Sequence, residues 1–309
     1  MRILVTGGAG FIGKALVGRL LGEGHHVSIL DDFSRGEPIG SVGNLKVLDG
    51  DVRNFDDVFG AVWKSDEVIH LAYINGTKTF YEKPDEVLDV AVHGIVNVLR
   101  ACTHHKVKRF MLMSSSEVCR ADIGSMNESI PLVIPDPFNP RYSYSAGKII
   151  SEMMAIHHKG FDWLTIIRPF NIYGPHMTPG HVIPDFKMHL DRIKTYPHKN
   201  DVYIFNILGN GNETRSFCYI DDFIDGVMLV REKGQHKGIY NIGTSEEISI
   251  RNLAQEMGNI LGIKLAVQDG NQLREGSIAR RKPDIAKMQV LGYEPKVSLN
   301  EGLRRVLCQ

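Results

Sequence analysis

Arg2-Ile3-Leu4-Val5-Thr6 runs without a break into Gly7-Gly8-Ala9-Gly10-Phe11-Ile12-Gly13. The first five residues are a short, mostly apolar run of the kind that forms a buried strand, and the apolar spacing over residues 12–22 is that of a helix. The glycines fall between them. There they let the chain turn tightly and let backbone amides approach a pyrophosphate, whose charge is favourable at a helix N-terminus. A glycine-rich turn by itself says little, but strand, turn and helix here stand in the register that a dinucleotide fingerprint requires. Gly7, Gly10, Phe11, Ile12 and Gly13 are therefore candidate cofactor contacts.

Working outward, short Val- and Ile-rich runs at 27–30, 68–71, 110–113 and 164–167 alternate with helical-period stretches at 56–63, 86–102 and 142–157. Strands apolar on both faces and separated by helices imply a parallel sheet covered on both sides, a doubly wound α/β (Rossmann) architecture. After Arg168-Pro169 the pattern loosens around Gly174-Pro175, Thr178-Pro179-Gly180 and residues 197–200, which read as loops. The expected organisation is a dinucleotide-binding domain over 1–170 with a returning segment at about 215–245, and a smaller, irregular α/β substrate lobe over 171–214 and 246–309. Within these parts, residues 239–242 read as a strand and 250–261 and 285–291 as helices.

Asp31 stands 18 residues beyond Gly13 at the end of the second strand, close to the offset of ~20 expected for an acid on the adenosine ribose. A carboxylate there repels a 2′-phosphate and favours NAD over NADP; Arg35 nearby argues the other way. Asp32 adjoins it. Gly50-Asp51-Val52 after the third strand would present Asp51 to the adenine amino group, although an aspartate at a strand end is also a common turn former.

Tyr144 and Lys148 are four apart on a predicted helix and so share a face. An ammonium beside a phenol, with a positive nicotinamide near, is expected to lower the tyrosine pKa and make a general base for a sugar hydroxyl. The same spacing also fits an ordinary exposed helix face. Ser114-Ser115-Ser116 tips the balance, because it follows a strand whose carboxyl end borders the ligand crevice of such a sheet.

Composition narrows the field. Over 309 residues Lys plus Arg equals Asp plus Glu at 36 each, so no overall basic field exists to hold nucleic acid or an acidic membrane. Cys102, Cys119, Cys218 and Cys308 form no CxxC pair, and the histidines show no HExxH spacing, so no metal site is expected. The apolar opening is too short for a signal peptide or a membrane span, which gives a cytoplasmic location as the expectation.

The landmarks Thr6 to Gly13, Asp31, Gly50-Asp51, His70-Leu71-Ala72, Ser114 to Val118, Tyr144 to Lys148, Arg168 to Pro175, Arg215 to Asp222, Lys282-Pro283-Asp284 and Leu291 to Pro295 follow in order over nearly the whole length. On these residues the chain resembles the extended short-chain dehydrogenase/reductases of the NAD-dependent nucleotide-sugar epimerase/dehydratase family. The resemblance implies NAD as cofactor, held also by Asp32, Val52, Leu71, Ala72 and Ser114. It implies that Ser115 hydrogen-bonds the reacting sugar hydroxyl, Tyr144 is the base, and Lys148 holds the nicotinamide ribose. Asn171, Arg215 and Arg274 match positions that hold the nucleotide pyrophosphate, with a UDP-sugar favoured as substrate. A homodimer packed through the helices at 86–102 and 142–157 is also implied.

The reaction expected first is 4-epimerisation through a transient 4-keto sugar. The alternative is a 4,6-dehydratase or decarboxylase, because Ser115-Ser116-Glu117-Val118 resembles a segment of those enzymes and a desolvated Glu117 would serve as base at C5. Arg281-Lys282-Pro283 likewise resembles a decarboxylase segment whose arginine meets the substrate. Cys119-Arg120, Tyr73 and Ala91 depart from the family pattern and make the pocket beside the sugar unusual. A non-catalytic dinucleotide sensor would share the fold, but it has no need of the Ser115, Tyr144 and Lys148 set.

Overall fold

A computed structural model describes residues 1–119, 124–195, 202–270 and 276–308. Seven strands form its main sheet: β1 (Arg2–Thr6), β2 (His26–Asp31), β3 (Leu45–Asp49), β4 (Glu67–His70), β5 (Arg109–Met113), β6 (Trp163–Pro169) and β7 (Gly238–Ile242). Their order is β7-β6-β5-β4-β1-β2-β3, and every neighbouring pair is parallel. Five helices, α1 (Phe11–Gly22), α2 (Phe55–Val62), α3 (Pro84–His105), α4 (Ser143–His157) and α5 (Ile220–Lys233), lie on its faces. This is the doubly wound α/β sheet expected from the alternation of the sequence.

Strand periodicity explains why both faces are dry. Ile3 and Val5 of β1 join Val27 and Ile29 under Leu16 and Leu20 of α1 and Phe223 and Val227 of α5. Leu4, between them, points the other way and packs with Leu30, Val68, Val58 of α2 and Ile95 and Val98 of α3. Local signals set the helix ends. Asn54 caps α2 by accepting from the Asp56 amide at 3.0 Å, and α3 starts with Pro84 at its first turn and ends at Lys106 in the left-handed region, φ 55°. Asn97, buried on α3, gives its amide to the carbonyls of Val52 and Arg53 at 3.0 and 2.8 Å and ties the β3–α2 connection to that helix.

The strand order reverses between β1 and β4, so the connections leaving β1 and β4 diverge there and open a crevice at the carboxyl ends. Over that crevice lie a helix (Val182–Thr195), the parallel pair Val202–Ile207 and Lys264–Asp269, and a small sheet of Ile248–Ser249, Thr214–Arg215 and Arg280–Arg281. Among the described residues, no helix is long and apolar enough to cross a membrane, and no group of three His, Cys, Asp or Glu side chains stands ready for a metal.

Candidate active site

A cavity of about 910 Å³ fills the crevice and is lined by both the sheet's carboxyl edge and the elements above it. Its first wall is the glycine turn. Gly7 has φ 70°, and a Cβ there would lie 2.7 Å from the Ala72 backbone; a Cβ on Gly13 would lie 2.3 Å from the Gly7 carbonyl. The turn is thus packed backbone against backbone. Helix α1 opens on Gly10 with no side-chain cap, so the amides of its first turn are left for an outside acceptor. These free amides fit a dinucleotide pyrophosphate.

Phe11, Ile12, Val52, Leu71 and Ala72 line the same cavity. So does Asp31, whose Oδ2 accepts from Ala9 N at 2.8 Å and whose Oδ1 accepts from Phe33 N at 3.0 Å. Burial pushes its carboxyl up while these two amides oppose the shift. Asp32 also reaches the cavity but accepts from the amide and hydroxyl of Ser34. Asp51 is engaged by Arg53, whose Nε and Nη2 lie 2.8 and 2.6 Å from its Oδ2; against burial, that guanidinium holds the carboxyl below its usual range. The turn-former reading of Asp51, open in the sequence, thus has a specific partner.

The second wall carries Ser115, Tyr144 and Lys148, brought together from the end of β5 and the face of α4. Burial pushes the Tyr144 phenol up to about 12, against a hydrogen bond from Ser115 that pulls it down. Burial also depresses Lys148 to about 7, with Glu152 opposing. In the chain without a cofactor the phenol is held up by burial, and the lowering expected from ammonium and nicotinamide together concerns the loaded site. Lys148 Nζ donates to the Met113 carbonyl at 2.7 Å and lies 5.9 Å from the Tyr144 ring centre, so desolvation wins. Ser114, expected beside the cofactor, gives its hydroxyl to Glu152.

Two departures from the family pattern fit each other. Tyr73 donates its hydroxyl to the Tyr144 carbonyl at 3.3 Å, and its ring sits 3.8 Å below Lys148 Nζ and edge-on to Tyr144 at 5.1 Å. A Cβ on Gly147 would lie 2.1 Å from that hydroxyl and 2.5 Å from the Ala91 Cβ. Small residues at 91 and 147 thus leave the space that Tyr73 takes. Phe80 stacks on the other side of Tyr144 at 4.6 Å.

Beyond Tyr144 the cavity is strongly charged. Ser115 caps a short turn (Ser116–Val118) by accepting from Glu117 N at 3.1 Å and so sets the direction of Glu117. Arg281 Nη1 donates to Glu117 Oε1, and Arg141 Nη2 lies 3.5 Å from both carboxylate oxygens. Burial raises the Glu117 carboxyl, but Arg281 and then Arg141 outweigh it and hold it at about 2. The desolvated base read from the sequence is in fact an ion-paired carboxylate. Burial, and then Arg281, lower Arg215 to about 10. The Nε and Nη2 of Arg281 and the Nε of Arg141 are buried and find no acceptor among the described residues. Asn171 lines the cavity with φ 44° and gives its amide to Ser216 O at 3.1 Å, while Arg274 lies outside the described residues.

Sequence reasoning passed over Arg141. Its signal was Asn139-Pro140-Arg141-Tyr142, a capped turn leading directly into α4, in which Asn139 accepts from Arg141 N at 3.0 Å. It also passed over the pairing of Arg168 with Glu152, bidentate at 2.9 and 2.7 Å with both side chains at or below 2% exposure. This pair braces α4 one turn beyond Lys148.

A dinucleotide turn at the head of α1, facing a serine, tyrosine and lysine across one cavity, defines a dinucleotide-dependent enzyme of the short-chain dehydrogenase type. The chain belongs to the NAD dependent epimerase/dehydratase family, whose model matches residues 3–243. It is 30% identical to the UDP-N-acetyl-alpha-D-glucosaminuronate decarboxylase of Bacillus cytotoxicus, over 99% of this chain and 96% of that protein. Among solved structures, the dTDP-glucose 4,6-dehydratase of Streptomyces venezuelae with NAD bound superposes with a TM-score of 0.87 at 29% identity, covering 100% of this chain and 96% of that one. The UDP-glucose 4-epimerase of Thermotoga maritima gives 0.87 at 26% identity, covering 99% and 97%.

Proposed function

We propose that the protein decarboxylates a UDP-linked hexuronic acid, the alternative raised by the sequence rather than its first reading. The observation that carries this is the charged end of the cavity: two guanidinium groups pair with one carboxylate, a third, Arg215, lies within its field, and the buried Nε and Nη2 of Arg281 still lack acceptors among the described residues. A second carboxylate satisfies them, because a planar guanidinium fork matches it in shape and charge. Similarity to a uronate decarboxylase over 99% of the chain supports the same choice. Arg274 remains, with Asn171 and Arg215, part of the proposed pyrophosphate contact.

In this reading Ser115 orients the C4 hydroxyl, and Tyr144 takes its proton once the cation of a bound nicotinamide, beside the Lys148 ammonium, draws the phenol down from about 12. NAD, when bound, accepts the C4 hydride and later returns it. The C6 carboxylate, held by Arg281, then stands β to a ketone. Loss of carbon dioxide breaks the C5–C6 bond and passes its electron pair to the C4 oxygen, where the Tyr144 proton stabilises the enolate; C5 then takes a proton. Glu117 acts here as a positioning residue for Arg281. A carboxyl at about 2 is a weak base for the C5 proton that a 4,6-dehydration removes.

Purified protein incubated with NAD and either UDP-glucuronate or UDP-N-acetylglucosaminuronate is expected to yield a product lighter by carbon dioxide in mass spectrometry. A product of unchanged mass with inverted C4 would overturn decarboxylation in favour of the second reading, 4-epimerisation, which draws on the likeness to the Thermotoga maritima enzyme.

A homodimer is also part of the proposal. Leu88 of α3 and Ile150 and Met153 of α4 are 36%, 38% and 55% exposed, and a second copy packed on this helix pair covers them. Light scattering is expected to give twice the mass of one chain, and Met153→Glu to return it to that of a single chain; an unshifted mass in the variant would remove these helices from the interface.

A further inference from the structure

Glu213 is 7% exposed and lines the cavity, yet both of its carboxylate oxygens are buried with no hydrogen-bond donor among the described residues. A carboxylate only accepts, and leaving it desolvated without a donor is costly. Arg215 attracts it through space but turns Nη1 to the Thr214 carbonyl at 2.7 Å, so the charge has a neighbour while the oxygens have no donor among the described residues. An acceptor in that state is one whose donors arrive with a ligand.

The strand fixes where those donors must be. Thr214–Arg215 pairs with Ile248–Ser249 on one side and Arg280–Arg281 on the other, so side chains alternate, and Glu213, Arg215 and Phe217 line the cavity while Thr214 and Ser216 do not. Arg215 feels the charges of Arg281 and Glu117 and also that of Glu213, and so stands between Glu213 and the reacting end. Glu213 lies two residues before it, its carbonyl accepting from Ile250 N at 3.0 Å, and Ile250, with Phe186 and Ile207, is among the apolar residues that line the cavity and can flank a flat base. Two residues along a strand span about 6.6 Å, comparable to the distance from the α-phosphate of a nucleoside diphosphate to its 2′,3′-diol.

We infer that Glu213 is a specificity residue that accepts hydrogen bonds from the 2′- and 3′-hydroxyls of the substrate's ribose and so selects ribonucleotide over 2′-deoxyribonucleotide sugars. The inference rests on the nucleotide-sugar reading of the cavity. A ribose diol offers two donors to the two oxygens and places no negative charge against them. A nucleobase edge offers the same acceptor at most one or two N–H groups and needs the apolar wall for itself.

The test is calorimetric binding of UDP and of 2′-deoxy-UDP to the full chain loaded with NAD. The unsubstituted protein is expected to prefer UDP by about tenfold or more, the worth of one hydrogen bond to a charged acceptor. Glu213→Ala is expected to bring the two affinities together chiefly by weakening UDP. Glu213→Gln, which keeps the shape and one acceptor, is expected to retain an intermediate preference and serves in its place should the alanine variant not fold. Equal affinities in the unsubstituted protein, or a preference unchanged in either variant, would overturn the role of Glu213 and leave the nucleotide reading intact. Binding of neither nucleotide would overturn that reading itself, and this inference with it.

Discussion

Tyr144→Phe is expected to lower turnover by about 10²–10⁴-fold while NAD affinity stays close to that of the unsubstituted protein. The phenol stands beside Ser115 in the cavity and is the proposed proton acceptor, and removing its oxygen leaves the glycine turn and Asp31 untouched. The ring stays seated, because Phe80 and Tyr73 pack against its carbon skeleton at 4.6 and 5.1 Å. Steady-state turnover and cofactor titration by fluorescence separate the two effects. Turnover retained in the variant would take the tyrosine out of the chemistry; lost NAD affinity would show that the substitution had disturbed the crevice.

Glu152→Gln is expected to destabilise the fold by about 3–5 kcal/mol, measured as a lower midpoint in urea with an unchanged slope. Arg168 would keep its charge at 2% exposure facing a neutral amide that offers one acceptor oxygen and sets an N–H₂ donor against the guanidinium, with the Glu128 carbonyl at 3.2 Å as its other acceptor. Replacing both residues by Met should restore much of the loss, since breaking a buried pair costs more than removing it whole. A midpoint unmoved by Glu152→Gln would mean that the pair carries no stability. Glu152 also accepts from Ser114 and opposes the burial that depresses Lys148, so the same substitution should alter the ammonium beside the cofactor wall.

Where the chain repeats a simple physical pattern, the sequence was readable. The apolar strands of the sheet and the glycine turn declare themselves through period and spacing, and the observed β1, β2, β4, β5, β6 and β7 fall on the runs read that way. Helix α5 was passed over: it begins after Tyr219 with no side-chain cap to mark it. The final helix, Leu299–Leu307, carried a readable mark in Ser298 and Glu301, whose amide donates to the serine hydroxyl at 3.3 Å. At the site, residue types were legible but charge states were not. Glu117 read as a desolvated acid because its partners Arg281 and Arg141 are brought to it only by tertiary folding, and Tyr144 read as lowered because spacing places Lys148 on its face without showing where the ammonium points.

Glu117 and Arg281 meet across 164 positions of chain. A chain delivered from its N-terminus therefore completes the turn at Gly7 and the first six strands long before it can close this pair, and contacts so distant in sequence must bear the entropy of closing a long loop before they return any stability. The half of the cavity shaped for the dinucleotide is encoded early and the cationic half late. Any fragment that stops short of Arg281 lacks the partner that sets Glu117, however complete its sheet, so in the order of synthesis the glycine turn precedes the charged end of the cavity.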